Sequence, residues 1–279
     1  MKRISTFSLV IILTIAIMAG CSGKPSSNKS IGDSDTIKKD SSIAEGLPDE
    51  IKSSGEIKIG VDDTYPPMEY RDESNALVGF DVDFGEAVGK KLGVKIKWVP
   101  TAWDGIIPSL KTGKFDIILS SLSITDERKK EIGFSEPYIL GGPVIITLKG
   151  DESVKASEDL KGKIIGCQLG TTAEDAVKSI DGIKELKKYN KITEALQDLS
   201  AKRIEAVVAD DQVGRYYISL DPQKFIVSGK MKEEPFGLGF RKGDTALIEA
   251  VQKAIDELKS EGTLSKISMK WFKTDYYNK

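Results

Sequence analysis

From Leu47 onward, short apolar segments alternate with segments whose apolar residues recur at helical spacing. Ile57, Ile59 and Val61 occupy alternate positions, as in a strand, whereas Phe84, Val88 and Leu92 share one face of a helix. The same rhythm continues through the segments 95–99, 106–110, 115–120, 163–167, 173–180, 192–199, 206–209 and 236–240, and two helices end the chain. This repetition predicts an α/β fold with largely parallel sheets.

One segment of the chain resembles another. Residues 110–120 align without gaps on residues 199–209, and both read as a helix end, a tight turn and a buried strand. Ser121 and Asp210 follow the two strands, and ligands of open α/β sheets bind beyond the carboxyl ends of strands. We therefore expect these residues to face each other across a site. The alternative is that any two helix–turn–strand units look alike.

The N-terminus is typical of an export signal. Lys2 and Arg3 precede an apolar run from Phe7 to Met18, and small residues follow it, which predicts a signal peptide over residues 1–20. Cys21 comes next, and here the chain resembles bacterial lipoproteins, whose first mature residue is a lipid-modified cysteine. An ordinary signal peptide with an incidental cysteine is the alternative. The polar residues that follow predict a lipid-anchored, flexible linker over residues 21–46.

Composition excludes several functions. The 279 residues include no histidine, which rules out Ser–His–Asp and Cys–His catalysis and histidine-bound metals. The two cysteines, Cys21 and Cys167, provide neither a disulfide framework nor a thiolate zinc site, and Cys167 reads as a core residue. With 41 basic and 43 acidic residues, nothing indicates a nucleic-acid surface. The functions that remain are ligand binding and catalysis by carboxylates and lysines.

Three polar segments follow predicted strands. Residues 62–69 contain Pro66-Pro67, whose extended backbone can hold a preceding aromatic ring as a rigid wall. Residues 120–128 offer hydroxyls, a helix start capped by Thr125, and Arg128, a set that suits a carboxylate. An exposed ion pair of Arg128 with a neighbouring acid is the alternative reading.

The third segment, 170–172, lies between a strand and a helix and is a weak anion cradle by itself. Asp210, at the end of its own strand, is a further candidate for ligand binding. It is equally suited to be a helix N-cap, and Asp211 is an alternative candidate for both roles. The sequence shows no phosphate-binding glycine motif and no pair of carboxylates at a convincing spacing.

Several motifs resemble, in order from about residue 47 to 272, family 3 of the bacterial solute-binding proteins, the polar amino-acid receptors of ABC importers. The most specific is Gly79-Phe80-Asp81-Val82-Asp83-Phe84, and the others lie at 65–67, 103–110, 123–128, 134–138, 168–172 and 236–244. The resemblance implies a periplasmic-binding-protein-like fold of type II, with two mostly parallel sheets joined by two hinge strands. It places residues 47–142 and 239–279 in a first lobe and residues 143–238 in a second.

The resemblance also implies how a free amino acid is held. Arg128 would bind the α-carboxylate, helped by Ser123 and the amide of Thr172. Asp210 would bind the α-ammonium, with Ser121 as a neutral acceptor opposite it. The remaining ligand-binding positions would be Asp62, Tyr65, Trp103, Gln168 and Thr171.

Two aromatic rings and Asp62 suit a cation, so arginine, lysine or histidine is the expected ligand. Relatives that bind glutamine also carry an aspartate at the position of Asp62, so glutamine, cystine or another neutral polar amino acid is an alternative. The implied protein is a receptor rather than an enzyme. It needs no cofactor or metal, is held by lipid on the extracytoplasmic face of the cell membrane, and delivers its ligand to the permease subunits of an ABC importer. A sensory receptor, or an enzyme similar to the cyclohexadienyl dehydratases of this fold, would be alternatives.

Overall fold

The structure is a computed structural model that describes residues 40–278. The predicted signal peptide and Cys21 lie outside the described residues, as does most of the predicted linker. The strands, numbered in chain order, are β1 (Glu56–Val61), β2 (Thr64–Tyr65), β3 (Glu69–Arg71), β4 (Leu77–Val78), β5 (Lys95–Pro100), β6 (Ile117–Ile118), β7 (Gly133–Phe134), β8 (Ile139–Gly141), β9 (Pro143–Leu148), β10 (Ile164–Gln168), β11 (Glu185–Tyr189), β12 (Ala206–Asp210), β13 (Phe225–Lys230), β14 (Glu234–Phe236) and β15 (Gly239–Phe240).

The α-helices are α1 (Ser41–Glu45), α2 (Asp49–Ser54), α3 (Phe80–Leu92), α4 (Ile106–Lys111), α5 (Asp126–Glu131), α6 (Thr172–Lys178), α7 (Ile192–Ser200), α8 (Asp211–Leu220), α9 (Thr245–Ser260) and α10 (Thr263–Phe272). Short 3₁₀ helices cover Trp103–Gly105 and Ser157–Leu160. Within residues 40–278, no helix combines the length and the apolar character needed to cross a bilayer.

Two five-stranded sheets confirm the predicted α/β fold. The first sheet has the order β5-β1-β6-β15-β7, and the second has the order β11-β10-β12-β9-β13. In the first sheet only β15 is antiparallel to its neighbours. In the second sheet only β9 is antiparallel to its neighbours. Four strands of each sheet therefore run in one direction, and each sheet with its helices forms one lobe of a two-lobed, type II fold.

The apolar periodicity of the sequence determines how the helices pack. Leu247, Val251, Ile255 and Leu258 are all buried along α9, which packs on α3 beside the first sheet. Cys167 is fully buried in β10, and burial raises its thiol pKa to about 12, so the prediction of a core residue is confirmed.

A two-stranded antiparallel ribbon, β8 with β14, connects the lobes. Before it the chain completes β7 in the first sheet, and after it the chain enters β9 in the second. On the return, β13 of the second sheet leads through β14 to β15 of the first. Gly142, next to β8, has a φ of +110°, and a Cβ there would lie 2.3 Å from the carbonyl oxygen of Lys232. This position therefore requires glycine.

The internal similarity of the sequence corresponds to a repeated topology. The segment 110–120 supplies β6 and the segment 199–209 supplies β12, and each is the third strand from the outer edge of its sheet. The residues that follow these strands consequently point toward the junction of the lobes.

Three sequence predictions need correction. The strand predicted at 115–120 is confined to Ile117–Ile118, and the segment 236–240 is divided between β14 and β15. The linker predicted over residues 21–46 is wrong at its end, because α1 occupies Ser41–Glu45. Asp40 caps this helix, and Ile43, only 3% exposed, packs into the core. The short length of this segment hid its helical character.

Candidate functional site

A small polar cavity lies where the strand ends of the two sheets meet. Its volume is about 20 Å³, close to the space of one water molecule. Its walls contain all ten positions predicted from the sequence to bind a ligand: Asp62, Tyr65, Trp103, Ser121, Ser123, Arg128, Gln168, Thr171, Thr172 and Asp210. They also contain Glu69 and Ser120, which were not predicted. The structure thus brings all ten predicted positions together, and their roles in binding stay predictions.

Arg128 reaches the cavity from the first turn of α5. Thr125 caps this helix, since its Oγ1 accepts a hydrogen bond from the Arg128 amide at 3.1 Å. The guanidinium donates to the carbonyl oxygens of Ser123 at 2.9 Å and Gly170 at 3.5 Å, and lies 5.4 Å from the ring centre of Trp103. Across residues 40–278, Arg128 has no salt bridge, so the alternative of an exposed ion pair is wrong. Burial lowers the pKa of Arg128.

Asp210 faces Arg128 from the end of β12. It is the N-cap residue of α8, yet its side chain makes no capping hydrogen bond. Instead, Oδ2 accepts a hydrogen bond from the Tyr65 hydroxyl of the other lobe at 2.8 Å. Asp211 pairs with Arg215 at 2.6 Å and does not line the cavity. Burial raises the pKa of Asp210 to about 7.

A second contact between the lobes joins Asp62 to Gln168. Gln168 Nε2 donates to Asp62 Oδ2 at 2.7 Å and to the carbonyl oxygen of Asn190 at 3.1 Å. Thr64 donates to Asp62 Oδ1 through its hydroxyl at 2.7 Å. Burial still raises the pKa of the Asp62 carboxyl, because desolvation outweighs these donors.

Hydroxyl groups complete the walls. Ser121 adopts a φ of +49°, and among the described residues its buried Oγ has no hydrogen-bond partner. Ser123 and Thr172 approach each other across the lobes, with their hydroxyl oxygens 3.4 Å apart. Thr171 caps α6 by accepting from the Glu174 amide at 3.3 Å. The cavity therefore combines one cation, several carboxyl groups and free hydroxyls, the donors and acceptors that a small zwitterion requires.

Sequence reasoning missed a buried carboxyl pair beneath the cavity. Glu69 and Asp81 are fully buried and within hydrogen-bonding range of each other. Ser120 connects Glu69 to the cavity wall through a 2.8 Å hydrogen bond. The spacing of the carboxylates in the sequence does not indicate this pair. Glu69 ends the Tyr-Pro-Pro segment and pairs with Tyr65 in the β2–β3 hairpin, which places it at the cavity.

A larger groove of about 1300 Å³ lies against β8 and the segment before β14, beside α8 and the C-terminal residues 270–277. Its walls contain lysines, aromatic rings and the ion pair of Asp211 with Arg215. None of the ten positions lines it. The small cavity is therefore the candidate site.

Comparison with protein-family models gives one match that covers most of the chain. Residues 57–274 match the model of the bacterial extracellular solute-binding proteins, family 3. The matched segment includes every residue of the cavity wall.

Individual relatives agree with this match. The chain is 33% identical over 271 residues to the L-cystine-binding protein TcyJ of Escherichia coli K12, covering 96% of both chains. It is 36% identical over 234 residues to the L-arginine-binding protein of Pseudomonas aeruginosa, covering 79% of this chain and 89% of that one. Among solved structures, an ancestral arginine-binding protein bound to arginine is 43% identical, with a TM-score of 0.76, covering 78% of this chain and 98% of that one.

Proposed function

Because the chain belongs to family 3 of the bacterial extracellular solute-binding proteins, we propose that it captures a basic amino acid outside the cytoplasm and delivers it to an ABC importer. The observation that carries this proposal is the convergence of Arg128 and Asp210, from different lobes, on one polar cavity. The relatives reported above are named for binding cystine or arginine, which supports a receptor rather than an enzyme.

The two charges suit the two ends of a free amino acid. Arg128 binds the α-carboxylate with the N–H groups that Ser123 and Gly170 leave free, and the Ser123 and Thr172 hydroxyls lie beside it. Asp210 binds the α-ammonium. The ammonium replaces the Tyr65 hydroxyl as donor to the Asp210 carboxylate.

A carboxyl group in the cavity wall favours a cationic side chain. Asp62 supplies this group, whereas Arg128 provides the one cation of the wall. Trp103 and Tyr65 add aromatic surface, whose contact with a cation is worth about 0.5–2 kcal/mol. We therefore assign arginine or lysine as the preferred ligand, with histidine next. Cystine and glutamine are the alternatives that the titration below separates.

Entry of any amino acid requires the lobes to separate, because a cavity of about 20 Å³ is far smaller than the ligand. The β8–β14 ribbon is the connection about which residues 143–238 would rotate relative to residues 47–142 and 239–279. Closure then brings Arg128 and Asp210 onto the ligand together. The closed form is the one that a permease partner would recognise.

We place the protein on the extracytoplasmic face of the cell membrane. The basic start and apolar run of residues 1–20 support export, and Cys21 directly after them supports a lipid anchor. Both features lie outside the described residues. Labelling with a fatty acid in the native host, with Cys21→Ser as control, tests the anchor separately from ligand binding.

Calorimetric titration tests the function. The protein lacking residues 1–21 is unfolded, refolded and titrated with the twenty amino acids, ornithine and cystine. Arginine or lysine should bind at micromolar Kd or tighter, which corresponds to about 8 kcal/mol. Tighter binding of cystine or glutamine would keep the receptor and reject the basic ligand. No binding of any amino acid would reject the function.

Arg128→Ala tests the clamp in the same titration. It removes the partner of the carboxylate, a loss of about 3 kcal/mol or more, so the affinity should fall over a hundredfold. Lys129→Ala is the matched control, because Lys129 is exposed, lies 3.8 Å from Asp126 and does not line the cavity. Binding by Arg128→Ala within tenfold of wild type would overturn the assignment.

A further inference from the structure

Two neighbouring carboxyl groups are buried at the ligand cavity, with Glu69 in its wall and Asp81 behind it. Glu69, on β3, and Asp81, at the start of α3, are each 0% exposed. Their side chains are within hydrogen-bonding range of each other. A buried pair of carboxylates without a cation between them is unstable unless one of them is protonated.

The hydrogen bonds of Ser120 show which oxygen of Glu69 is an acceptor. The Asp62 amide N–H donates to Ser120 Oγ at 3.0 Å, so Ser120 is an acceptor in that bond. Its own O–H proton is therefore free to donate to Glu69 Oε1, at 2.8 Å. Oε1 is consequently an acceptor and carries no proton.

The hydrogen bonds of Asp81 likewise show which of its oxygens is an acceptor. Its Oδ2 accepts the Ser121 amide at 2.8 Å and the Tyr138 hydroxyl at 2.9 Å. Two donors on one oxygen stabilise Asp81 as the anion. Of the four carboxyl oxygens of this pair, the two without a donor among the described residues are Asp81 Oδ1 and Glu69 Oε2, one from each member. A single proton between these two oxygens satisfies both.

We propose that Glu69 is held as a neutral carboxylic acid, with its Oε2–H donating to Asp81 Oδ1, and that in this form it positions Ser120 and Asp62 for the ligand side chain. Glu69 is thus a positioning residue. The hydrogen-bonded path runs from Tyr138, next to the hinge strand β8, through Asp81, Glu69 and Ser120 to Asp62. The ligand part of the proposal rests on the proposed function, whereas the protonation does not.

The electrostatic surroundings agree with a protonated Glu69. Burial, then the Asp81 charge, raises the pKa of Glu69 well above its usual value, and burial raises that of Asp81 to about 6. Asp62 also faces Glu69 and disfavours its ionisation. The other titratable groups nearby are the hydroxyls of Tyr65, Tyr138 and Tyr277, which are neutral with raised pKa values. These neighbours include no cation.

The substitution Glu69→Gln reproduces the proposed hydrogen bonds. The Gln amide oxygen can accept from Ser120, and its NH₂ can donate to Asp81, so arginine should bind within about twofold of wild type. Glu69→Ala removes the Ser120 acceptor and should weaken binding about tenfold or more. The double variant Glu69→Gln/Asp81→Asn places two amide groups face to face. Its Tm should fall by more than the sum of the two single substitutions.

The pH profile of the ligand-free protein tests the proton itself. A carboxyl whose folded pKa is raised contributes stability that is complete at low pH and is lost as pH rises toward that pKa. Wild-type Tm should therefore fall, relative to that of Glu69→Gln, as pH rises above the range in which a carboxyl group of the unfolded chain ionises. The infrared C=O band of a protonated carboxylic acid should be present at pH 7 in wild type and reduced in Glu69→Gln.

Parallel Tm profiles for wild type and Glu69→Gln, or an affinity loss in Glu69→Gln as large as that in Glu69→Ala, would overturn the proposal. If Glu69→Ala does not fold, the dependence of Tm on pH in Glu69→Gln still tests the proposal. If wild type does not bind arginine, the proposed ligand fails, while the Tm and infrared results still test the proton.

Discussion

At the scale of single residues, the two charges of the site are kept apart. Arg128 donates to backbone carbonyl oxygens, and Asp210 accepts from the Tyr65 hydroxyl, so across the described residues the two make no salt bridge with each other. Each therefore retains its affinity for an opposite charge. A zwitterion that bridges them gains both interactions without first breaking an internal ion pair.

The proposed contact of Asp210 with the α-ammonium predicts that ligand affinity depends on pH. Its pKa is raised to about 7 by burial, and the α-ammonium requires the carboxylate form. Below about pH 7, Asp210 must release its proton on binding, so affinity should fall as pH decreases, by up to about tenfold per unit. Above it, affinity should level off. Titrations at pH 6 and pH 8, in buffers of different ionisation enthalpy, measure both the affinity and the proton released.

Asp211→Asn is the control for this prediction, because Asp211 pairs with Arg215 outside the cavity. Asp211→Asn should keep the pH dependence but move it slightly to lower pH, because the Asp211 charge contributes to the raised pKa of Asp210. Asp210→Asn should bind weakly, with an affinity that does not change with pH. Equal wild-type affinities at both pH values, with no proton released, would contradict the role given to Asp210.

Local sequence rules located Ser121 and Asp210, because the residue after a buried strand points to the edge where ligands bind. Residue chemistry also indicated Arg128 and the segment 170–172, and the resemblance to the family supplied the other positions. None of these located the Glu69–Asp81 pair. The contact depends on the β2–β3 hairpin folding back onto the start of α3, and a spacing of twelve residues carries no periodic signal for that.

At the scale of elements, two irregular stretches of backbone lie at the cavity and at the hinge. The strand predicted at 115–120 is confined to Ile117–Ile118, and its apolar continuation turns into the cavity wall at Ser120 and Ser121. Apolar patterning predicts burial, and these residues are buried. It does not predict where ladder hydrogen bonds stop, since that depends on the neighbouring strand. The helix α1 was missed for a related reason, because Ile43 is buried by contacts distant in sequence.

The hinge provides a prediction at this scale. Gly142→Ala introduces a Cβ 2.3 Å from the Lys232 carbonyl oxygen and imposes a φ of +110° on alanine. Gly113→Ala is the matched control, since its φ is +78° and no atom lies within 4 Å of its Cβ. Backbone strain alone costs about 1–2 kcal/mol. In denaturant unfolding, Gly142→Ala should lower the free energy of unfolding by more than the control does. In calorimetry, it should also weaken arginine binding.

The role of the β8–β14 ribbon depends on this comparison. If Gly142→Ala and Gly113→Ala lose the same stability and both keep wild-type affinity, the ribbon tolerates rearrangement. Its geometry then does not control closure.

At the scale of the whole molecule, two lobes of the same topology meet through polar contacts rather than through apolar packing alone. Tyr65 with Asp210, Gln168 with Asp62, and Trp103 with the Gly170 carbonyl oxygen all cross the junction. Polar contacts that water can replace are easily broken, whereas buried apolar surface is not. The junction is therefore suited to opening and closing about a ligand.

Trp103 offers a direct observation of this movement. Its Nε1 donates to the Gly170 carbonyl oxygen of the other lobe at 3.0 Å, whereas Trp98 and Trp271 donate to Glu86 and Asp83 within their own lobe. In a Trp98→Phe/Trp271→Phe variant, the tryptophan fluorescence comes from Trp103 alone. Arginine should shift its fluorescence to shorter wavelength as the lobes close over it, and small-angle X-ray scattering should show a smaller radius of gyration. The same variant with Arg128→Ala should show neither change at the same arginine concentration. A bound protein whose radius of gyration stays constant would mean that ligands enter without separation of the lobes.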